Sequence, residues 1–128
     1  MILLDSNALL WLVTGGSRLG PMARHALGGP GVPAYFSPVS VVELTIKKML
    51  GKLDLMGPVS DAAGAAGLRE LPLNGSQAEG IVSFPSLVRH DPFDRMLLAQ
   101  ARIEGMRLLT SDRVLLSAEP ELTIDARA

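Results

Sequence analysis

Cysteine is absent from the 128-residue sequence. This absence excludes disulfide bonds, catalysis by a thiolate and zinc sites with cysteine ligands. It fits a reducing compartment, and any metal ion that the protein binds should have oxygen ligands.

Long apolar runs are also missing. The apolar start, Met1 to Leu4, is interrupted by Asp5 and has no basic segment before it. No run approaches the ~18 apolar residues that a membrane-spanning helix needs. We therefore expect a soluble, cytoplasmic protein with no membrane partner.

Neither sign of charge dominates, because 12 basic and 13 acidic side chains give a formal net charge of −1. Any binding of nucleic acid would thus depend on a local basic patch or on metal ions. The hydrophobic fraction is 48% but the aromatic fraction only 4%, which indicates an aliphatic core of helices packed on a buried sheet. The length suits one domain, 1–128, and no repeat, low-complexity tract or long linker divides it.

Short apolar segments alternate with helical patterns along the chain. We predict strands at 1–4, 34–37, 71–73, 106–110 and 121–125, and helices at 8–13, 21–27, 38–50, 59–69, 76–84 and 92–104. This alternation predicts a three-layer α/β/α fold with a mainly parallel central sheet.

The chain is organised around residues 90–112. Asp91 suits the N-cap of a helix and Pro92 its first position, which places Asp94 in the first turn. Gly105 ends this helix, and a short strand then leads to Asp112. In an open α/β sheet, helix starts and strand ends meet along one edge, so Asp94 and Asp112 should converge there.

Two further acids are predicted to lie near the same edge of the sheet. Asp5 ends the first predicted strand. Glu43 shares helical spacing with Val39, Val42 and Ile46, which predicts a carboxylate on a core-facing stripe that needs a partner. Lys47, four residues later, would provide an ion pair worth ~0.3–0.5 kcal/mol, and a metal site is an equally good explanation.

Taken singly, the aspartates of residues 90–112 are explained by helix capping: Asp91 and Asp94 have the spacing of a capping pair, and Asp112 would cap a segment from Arg113 to Leu116. Taken together, Asp5, Glu43, Asp94 and Asp112 bring four negative charges from distant segments, and such charges need a cation. Oxygen ligands suit Mg²⁺ or Mn²⁺, and a site of this kind favours hydrolysis of phosphodiesters.

Four segments carry a resemblance to a known family: LLDSNALLWL, SPVSVVELTIKKMLGKL, HDPFDRMLLAQA and LLTSD. In this order they resemble a PIN-domain ribonuclease of the VapC toxin type, over nearly the whole chain, and DPFDR followed by LLAQA is the most specific part. The acidic positions of the family fall on Asp5, Glu43, Asp94 and Asp112. The resemblance implies an endoribonuclease that depends on Mg²⁺ or Mn²⁺, forms a homodimer and is restrained by a small VapB-type antitoxin.

Other polar residues near these acids have ordinary explanations as well. Serines and Asn7 either support the acids or form turns and caps, and basic residues either bind RNA phosphates or solvate a helix. The residues concerned are Ser6, Asn7, Ser40 and Ser111, and Lys47, Lys48, Lys52 and Arg95. His25 and His90 lack the spacing of a paired histidine metal site and are predicted to be surface or capping residues. Trp11 is expected in the core, with an antitoxin contact as the alternative.

Two other functions are compatible with clustered acids. The first is a non-catalytic PIN-like module that binds a metal ion or a protein partner. The second is a phosphoacceptor signalling domain, which should carry adjacent acids after its first strand and a late lysine. This chain has Asp5-Ser6-Asn7 and no lysine after Lys52, so the sequence disfavours the second alternative.

Overall fold

The computed structural model describes residues 1–29 and 31–128. In these residues five strands form one sheet with the order β3-β2-β1-β4-β5, and every neighbouring pair is parallel. The strands are β1 (Ile2–Leu4), β2 (Ala34–Phe36), β3 (Arg69–Glu70), β4 (Arg107–Thr110) and β5 (Thr123–Asp125). The predicted α/β fold with a parallel sheet is therefore confirmed.

Seven α-helices connect these strands in the described residues. They are α1 (Ser6–Val13), α2 (Pro21–Gly28), α3 (Pro38–Met49), α4 (Val59–Ala65), α5 (Gly75–Glu79), α6 (Pro92–Glu104) and α7 (Arg113–Ala118). Two short 3-10 segments, Gly80–Ser83 and Pro85–Leu87, lie between α5 and α6. None of the described helices is long and apolar enough to cross a membrane.

The core has two parts, one on each face of the sheet. Side chains alternate along the strands, so Leu4 and Leu109 pack in one part, whereas Leu3 and Leu108 pack in the other. Trp11 is buried in the first part, which confirms its predicted core position. The result is the predicted three-layer arrangement.

The order of the strands decides where a site can form. The chain moves from β1 outward through β2 to β3, then returns to place β4 against the other side of β1. In open α/β sheets, ligands bind at the carboxyl ends of the strands where this direction reverses. That point lies at the ends of β1 and β4, which are followed by Asp5 and Asp112.

The predictions for residues 59–84 were partly wrong. The helix predicted to Arg69 ends at Ala65, because Gly67 has a φ of 88°, a left-handed backbone that ends a helix. The third strand is Arg69–Glu70 and not 71–73. Leu71 only donates its backbone N–H to the carbonyl of Phe36.

The helix predicted at 76–84 is also shorter than expected. A capping box between Asn74 and Gln77 starts α5, but the α-helix ends at Glu79 and a 3-10 segment follows it. Gly80 lies close to α6, since a Cβ at this position would lie 3.0 Å from Ile103 and 3.3 Å from Ala99. Packing against α6 therefore governs the backbone here, and no local pattern reveals it.

Candidate active site

Four acidic side chains from distant segments face one pocket of about 270 Å³ at the predicted sheet edge. Asp5 follows β1, Asp112 follows β4, Asp94 lies in the first turn of α6, and Glu43 lies on α3. The residues lining the pocket are Asp5, Ser6, Asn7, Glu43, Lys47, Asp91, Asp94 and Asp112. The structure thus brings together the four acids selected from the sequence.

Asp5 is both a helix cap and a pocket residue. It is 4% exposed, and its Oδ1 accepts a hydrogen bond from the backbone N–H of Ala8 at 2.8 Å, which caps α1. Its Oδ2 accepts from the hydroxyl of Thr110 at 2.6 Å. Burial raises the pKa of Asp5 to about 6 despite these two hydrogen bonds. Its charge is therefore costly in the absence of a nearby cation.

Glu43 is held by neighbours on α1 and α3. Its Oε1 accepts from Ser6 Oγ at 2.6 Å, and its Oε2 lies 3.5 Å from Lys47 Nζ. Ser6 Oγ also lies within 3.2 Å of Ser40 Oγ. The ion pair with Lys47 is therefore present, and it lies at the pocket.

The predicted core-facing stripe on α3 was partly wrong. The buried side chains of this helix are Val39, Ser40 and Leu44, whereas Val42 and Ile46 are 50% and 43% exposed. Helical periodicity identified an apolar stripe but not the side of the helix that faces the sheet. Glu43 is partly buried because it faces the acidic pocket.

Asp94 and Asp112 lie together around His90. The Nε2 atom of His90 is 3.3 Å from Asp94 Oδ2 and 2.9 Å from Asp112 Oδ2. Asp112 also caps α7, because its Oδ1 accepts from the backbone N–H groups of Val114 and Leu115. As at Asp5, one oxygen caps a helix while the other contacts a side chain, which is Thr110 for Asp5 and His90 for Asp112.

The pKa values of these two aspartates move in opposite directions. Burial raises the pKa of Asp94 to about 7, and the charges of Asp91, Asp5, Asp112 and Glu43 add to the rise. Burial also acts to raise the pKa of Asp112.

For Asp112 that effect is outweighed by the hydrogen bond with His90 and by the backbone N–H groups that it caps, so its pKa lies below the ordinary value. A nearby cation would therefore stabilise the ionised form of Asp94 most, because the charge of Asp112 is already stabilised by its neighbours.

Two residues of the site were missed or misjudged in the sequence. His90 was predicted to be a surface or capping residue, but its half-buried ring contacts two of the four acids. Thr110 was regarded only as the end of a strand, yet it binds Asp5 and accepts from the backbone N–H of Asp112 at 3.0 Å. The Thr-Ser-Asp sequence at the end of a buried strand was the available signal for Thr110.

The predicted basic residues divide between the pocket and other positions. Lys47 lines the pocket, whereas the Lys48 ammonium donates to the carbonyl of Gly57. Lys52 is exposed, and Nε of Arg95 is buried without a hydrogen-bond partner in the described residues. Lys47 is therefore the best placed of the four to meet an anionic substrate at the pocket.

A family model matches this chain. The model of the PIN domain matches residues 2–119, a span that includes all four acids and both residues missed above. The chain belongs to the PIN domain family. PIN domains are generally nucleases, and PIN nucleases use divalent metal ions.

Solved structures share the fold of this PIN domain at low sequence identity. A toxin-antitoxin complex from Klebsiella pneumoniae has a TM-score of 0.67 and 17% identity, with 98% of each chain covered. VapBC2 from Rickettsia felis, bound to a DNA fragment from its promoter, has a TM-score of 0.68 and 12% identity, covering 97% of this chain and 98% of that one. FitAcB from Neisseria gonorrhoeae has a TM-score of 0.61 and 20% identity, with 98% of each covered. No curated protein matches the chain.

The donor set of this PIN domain fits a hard divalent cation. Five carboxylates border one pocket, those of the four predicted acids and that of Asp91, and the raised pKa values of Asp5 and Asp94 show that a positive charge there would be stabilising. Carboxylate oxygens are the ligands that Mg²⁺ and Mn²⁺ prefer. The residues available to hold such an ion are Asp5, Glu43, Asp94 and Asp112.

Proposed function

We propose that this PIN domain is a metal-dependent endoribonuclease that hydrolyses RNA phosphodiester bonds, and that it is the toxin of a VapBC-type toxin-antitoxin system. The observation that carries the proposal is the convergence of Asp5, Glu43, Asp94 and Asp112 on one pocket. Under this proposal the four acids hold Mg²⁺ or Mn²⁺ and are the catalytic residues. Membership of a family of nucleases supports it.

Hydrogen bonds from groups around the pocket orient the carboxylates of Asp5 and Glu43. Ala8 and Thr110 fix both oxygens of Asp5, and Ser6 fixes one oxygen of Glu43, so these carboxylates are oriented before a cation arrives. The chemistry supplied by a bound Mg²⁺ or Mn²⁺ ion would be Lewis acidity and the orientation of water and phosphate for in-line attack. No nucleophile from the protein is then required.

Lys47 has a second role in the proposal. It lines the pocket beside Glu43 and its side chain is 38% exposed, so its ammonium is accessible to a phosphate group. It would provide local positive charge for RNA in a chain whose net charge is −1.

We also propose a small VapB-type antitoxin as a partner, and a homodimer as the active assembly. The structural neighbour from Klebsiella pneumoniae is a toxin-antitoxin complex by its printed name, which supports the first part. Exposed apolar side chains along α3 and at its C-cap offer surface that a partner or a second copy would bury. These are Val42, Ile46, Met49 and Leu50.

Incubation of purified, antitoxin-free protein with total RNA tests the activity directly. Cleavage should occur with Mg²⁺ or Mn²⁺, stop with EDTA, and be absent in Asp5→Asn, with products analysed by gel electrophoresis and end mapping. A metal-binding protein that leaves every RNA intact under these conditions would be a non-catalytic PIN-like module instead.

Expression in cells tests the partner. The chain expressed alone should arrest growth, whereas co-expression with the small reading frame next to its gene should restore it, and Asp5→Asn should be harmless in both cases. Normal growth at high expression of the wild-type chain, with no small protein copurifying, would refute the toxin proposal.

A further inference from the structure

His90 is a member of the acidic site that is not one of the four acids. It lies directly before Asp91, the N-cap of α6, and its backbone N–H donates to the carbonyl of buried Leu87 at 2.9 Å. The side chain is only 22% exposed. The ring is therefore held at the site by a short turn and does not extend freely into solvent.

Three donor atoms, one each from His90, Asp94 and Asp112, have the spacing of metal ligands. Nε2 lies 3.3 Å from Asp94 Oδ2 and 2.9 Å from Asp112 Oδ2, and ligand atoms of the three residues all lie within 4.8 Å of one another. Adjacent ligands of an octahedral ion with bonds of about 2.1 Å are separated by about 3 Å. One ion can therefore contact Nε2 and both carboxylates with little rearrangement.

A nitrogen donor changes which ions a carboxylate site prefers. Imidazole suits Zn²⁺ and other late transition ions, whereas Mg²⁺ favours oxygen ligands and water. We infer that His90 is a nitrogen ligand of the ion held by Asp94 and Asp112, and that this ligand shifts the preference of the site from Mg²⁺ toward transition-metal ions. The inference rests on the metal site of the proposed function and adds a ligand and a selectivity to it.

A competing role for His90 uses the same contacts. The ring could serve only as a hydrogen-bond donor that holds Asp112 in place, without ever binding metal. In that case substitution of His90 would affect every ion alike, because each depends on the same carboxylates. A ligand role instead predicts a loss that is confined to ions that favour nitrogen.

Nuclear magnetic resonance of the imidazole nitrogens separates these roles directly. The chain has two histidines, and His25 is exposed on α2, so a His25→Gln variant leaves the ring of His90 as the single imidazole. Zn²⁺ is diamagnetic and should shift the ¹⁵N resonance of Nε2 far more than that of Nδ1. Mg²⁺ should not produce this shift, and Asp94→Asn should reduce the response to Zn²⁺.

Calorimetric titration gives the selectivity. His90→Gln, which retains an amide donor, should lose about tenfold or more in affinity for Zn²⁺ and Co²⁺ but change little toward Mg²⁺. His25→Gln is the matched control and should keep the wild-type affinities for all three ions. Circular dichroism shows whether His90→Gln is folded, and the resonance experiment stands without that variant.

The outcomes distinguish this inference from the proposed function. Binding of Zn²⁺ that depends on Asp94 but leaves the Nε2 resonance unmoved would overturn the ligand role of His90 and leave the carboxylate site intact. An equal loss for Zn²⁺ and Mg²⁺ in His90→Gln would assign it the hydrogen-bonding role. Absence of any Asp94-dependent ion binding would overturn both proposals.

Discussion

The acidic pocket has two halves that position their carboxylates by different means. In the hydroxyl half, Asp5 and Glu43 accept hydrogen bonds from Thr110 and Ser6, which are neutral donors. In the imidazole half, Asp94 and Asp112 share contacts with His90. Asp5 is thus supported by neutral donors alone, whereas Asp94 and Asp112 contact an ionisable ring. Glu43 has the ammonium of Lys47 beside its hydroxyl donor.

The difference shows where a cation is needed. Asp112 contacts His90 and its pKa is lowered, whereas the pKa values of Asp5 and Asp94 rise to about 6 and about 7 because both are desolvated by burial. Neutral hydroxyl donors orient Asp5 without compensating its charge. Each half therefore contains one acid whose ionisation is costly, and an ion between the halves would relieve both.

The largest expected effect comes from neutralising these acids. Asp5→Asn and Asp94→Asn should each lower metal-dependent RNA cleavage by about 100-fold or more, because each removes the charge of a proposed metal ligand. Glu43→Gln and Asp112→Asn should also be strongly impaired. Cleavage rates at saturating Mg²⁺ and Mn²⁺ measure the loss.

The control for these variants is Asp54→Asn, since Asp54 is an exposed acid that is not among the residues lining the pocket. It should keep wild-type cleavage, and all the variants should have wild-type circular dichroism. Near-normal metal-dependent cleavage by Asp5→Asn and Asp94→Asn would refute the assigned site.

The next largest effect is a dependence of stability on pH in metal-free protein. The folded-state pKa values of Asp5 and Asp94 lie above the ordinary value of 3.8, so the folded state binds protons more tightly than the unfolded state. Stability is then fully present below about pH 4 for these two groups and is lost as the pH rises through about 6 to 7, by on the order of 3 kcal/mol for Asp5. Asp112 acts in the opposite sense and loses its contribution only in acid.

Thermal unfolding in EDTA tests this expectation. The melting temperature should fall by several degrees between about pH 5 and pH 8, and millimolar Mg²⁺ or Mn²⁺ should recover it at the higher pH, since an ion that binds the folded state stabilises it. Asp94→Asn should melt higher than wild type in EDTA at the higher pH and respond less to metal. A melting temperature that changes with neither pH nor metal would show that ionisation of the acids is not costly in either half.

A smaller effect is expected from Thr110→Val, which tests the hydroxyl half with almost no change of shape. The variant leaves Asp5 without its second hydrogen bond and the backbone N–H of Asp112 without an acceptor. The free energy of unfolding should fall by about 1–3 kcal/mol, and metal affinity should fall about tenfold.

Thr45→Val is the matched control, because Thr45 is exposed on α3. It should change the free energy of unfolding by less than about 0.5 kcal/mol. Chemical denaturation and metal titration give both quantities, and equal behaviour of the two variants would show that Thr110 has no part in the site.

The smallest predicted effect belongs to Ser6→Ala. Glu43 would lose its hydrogen bond from Ser6 but keep its contact with Lys47, so the loss of stability should be about 1 kcal/mol. Metal affinity should fall less than in Thr110→Val. The control is Ser117→Ala at an exposed position of α7, and a larger loss in Ser6→Ala than in Thr110→Val would reverse the order of importance within the hydroxyl half.

Much of the fold was predictable because its signals are local. Asp91 with Pro92 starts α6, Gly105 ends it with a φ of 66°, and Ser37 with Pro38 starts α3. The predicted strands around β1, β2 and β4 are correct for the same reason, since each is a short apolar run with clear ends. Strand ends and helix starts then place Asp5, Asp94 and Asp112 at one edge of a parallel sheet.

The region between α3 and α6 was less predictable because long-range packing determines it. Gly80 lies against α6, and Gln77 is buried near Gln100, which also accepts a hydrogen bond from Ser37. These contacts join residues that are between 19 and 63 positions apart. Local propensity therefore predicted helices that are too long and a third strand that is displaced by two residues.

By itself, the sequence determined the parallel α/β fold and predicted the convergence of the four acids, because helix caps, helix-ending glycines and apolar runs act over a few residues. The tertiary structure alone decided which neutral and ionisable groups meet those acids. Thr110 reaches Asp5 across 105 positions, and His90 reaches Asp112 across 22. Such partners depend on the register of strands and on the packing of helices, which no short stretch of sequence encodes. The same packing turned α3 so that Glu43 faces the pocket while Val42 and Ile46 are exposed.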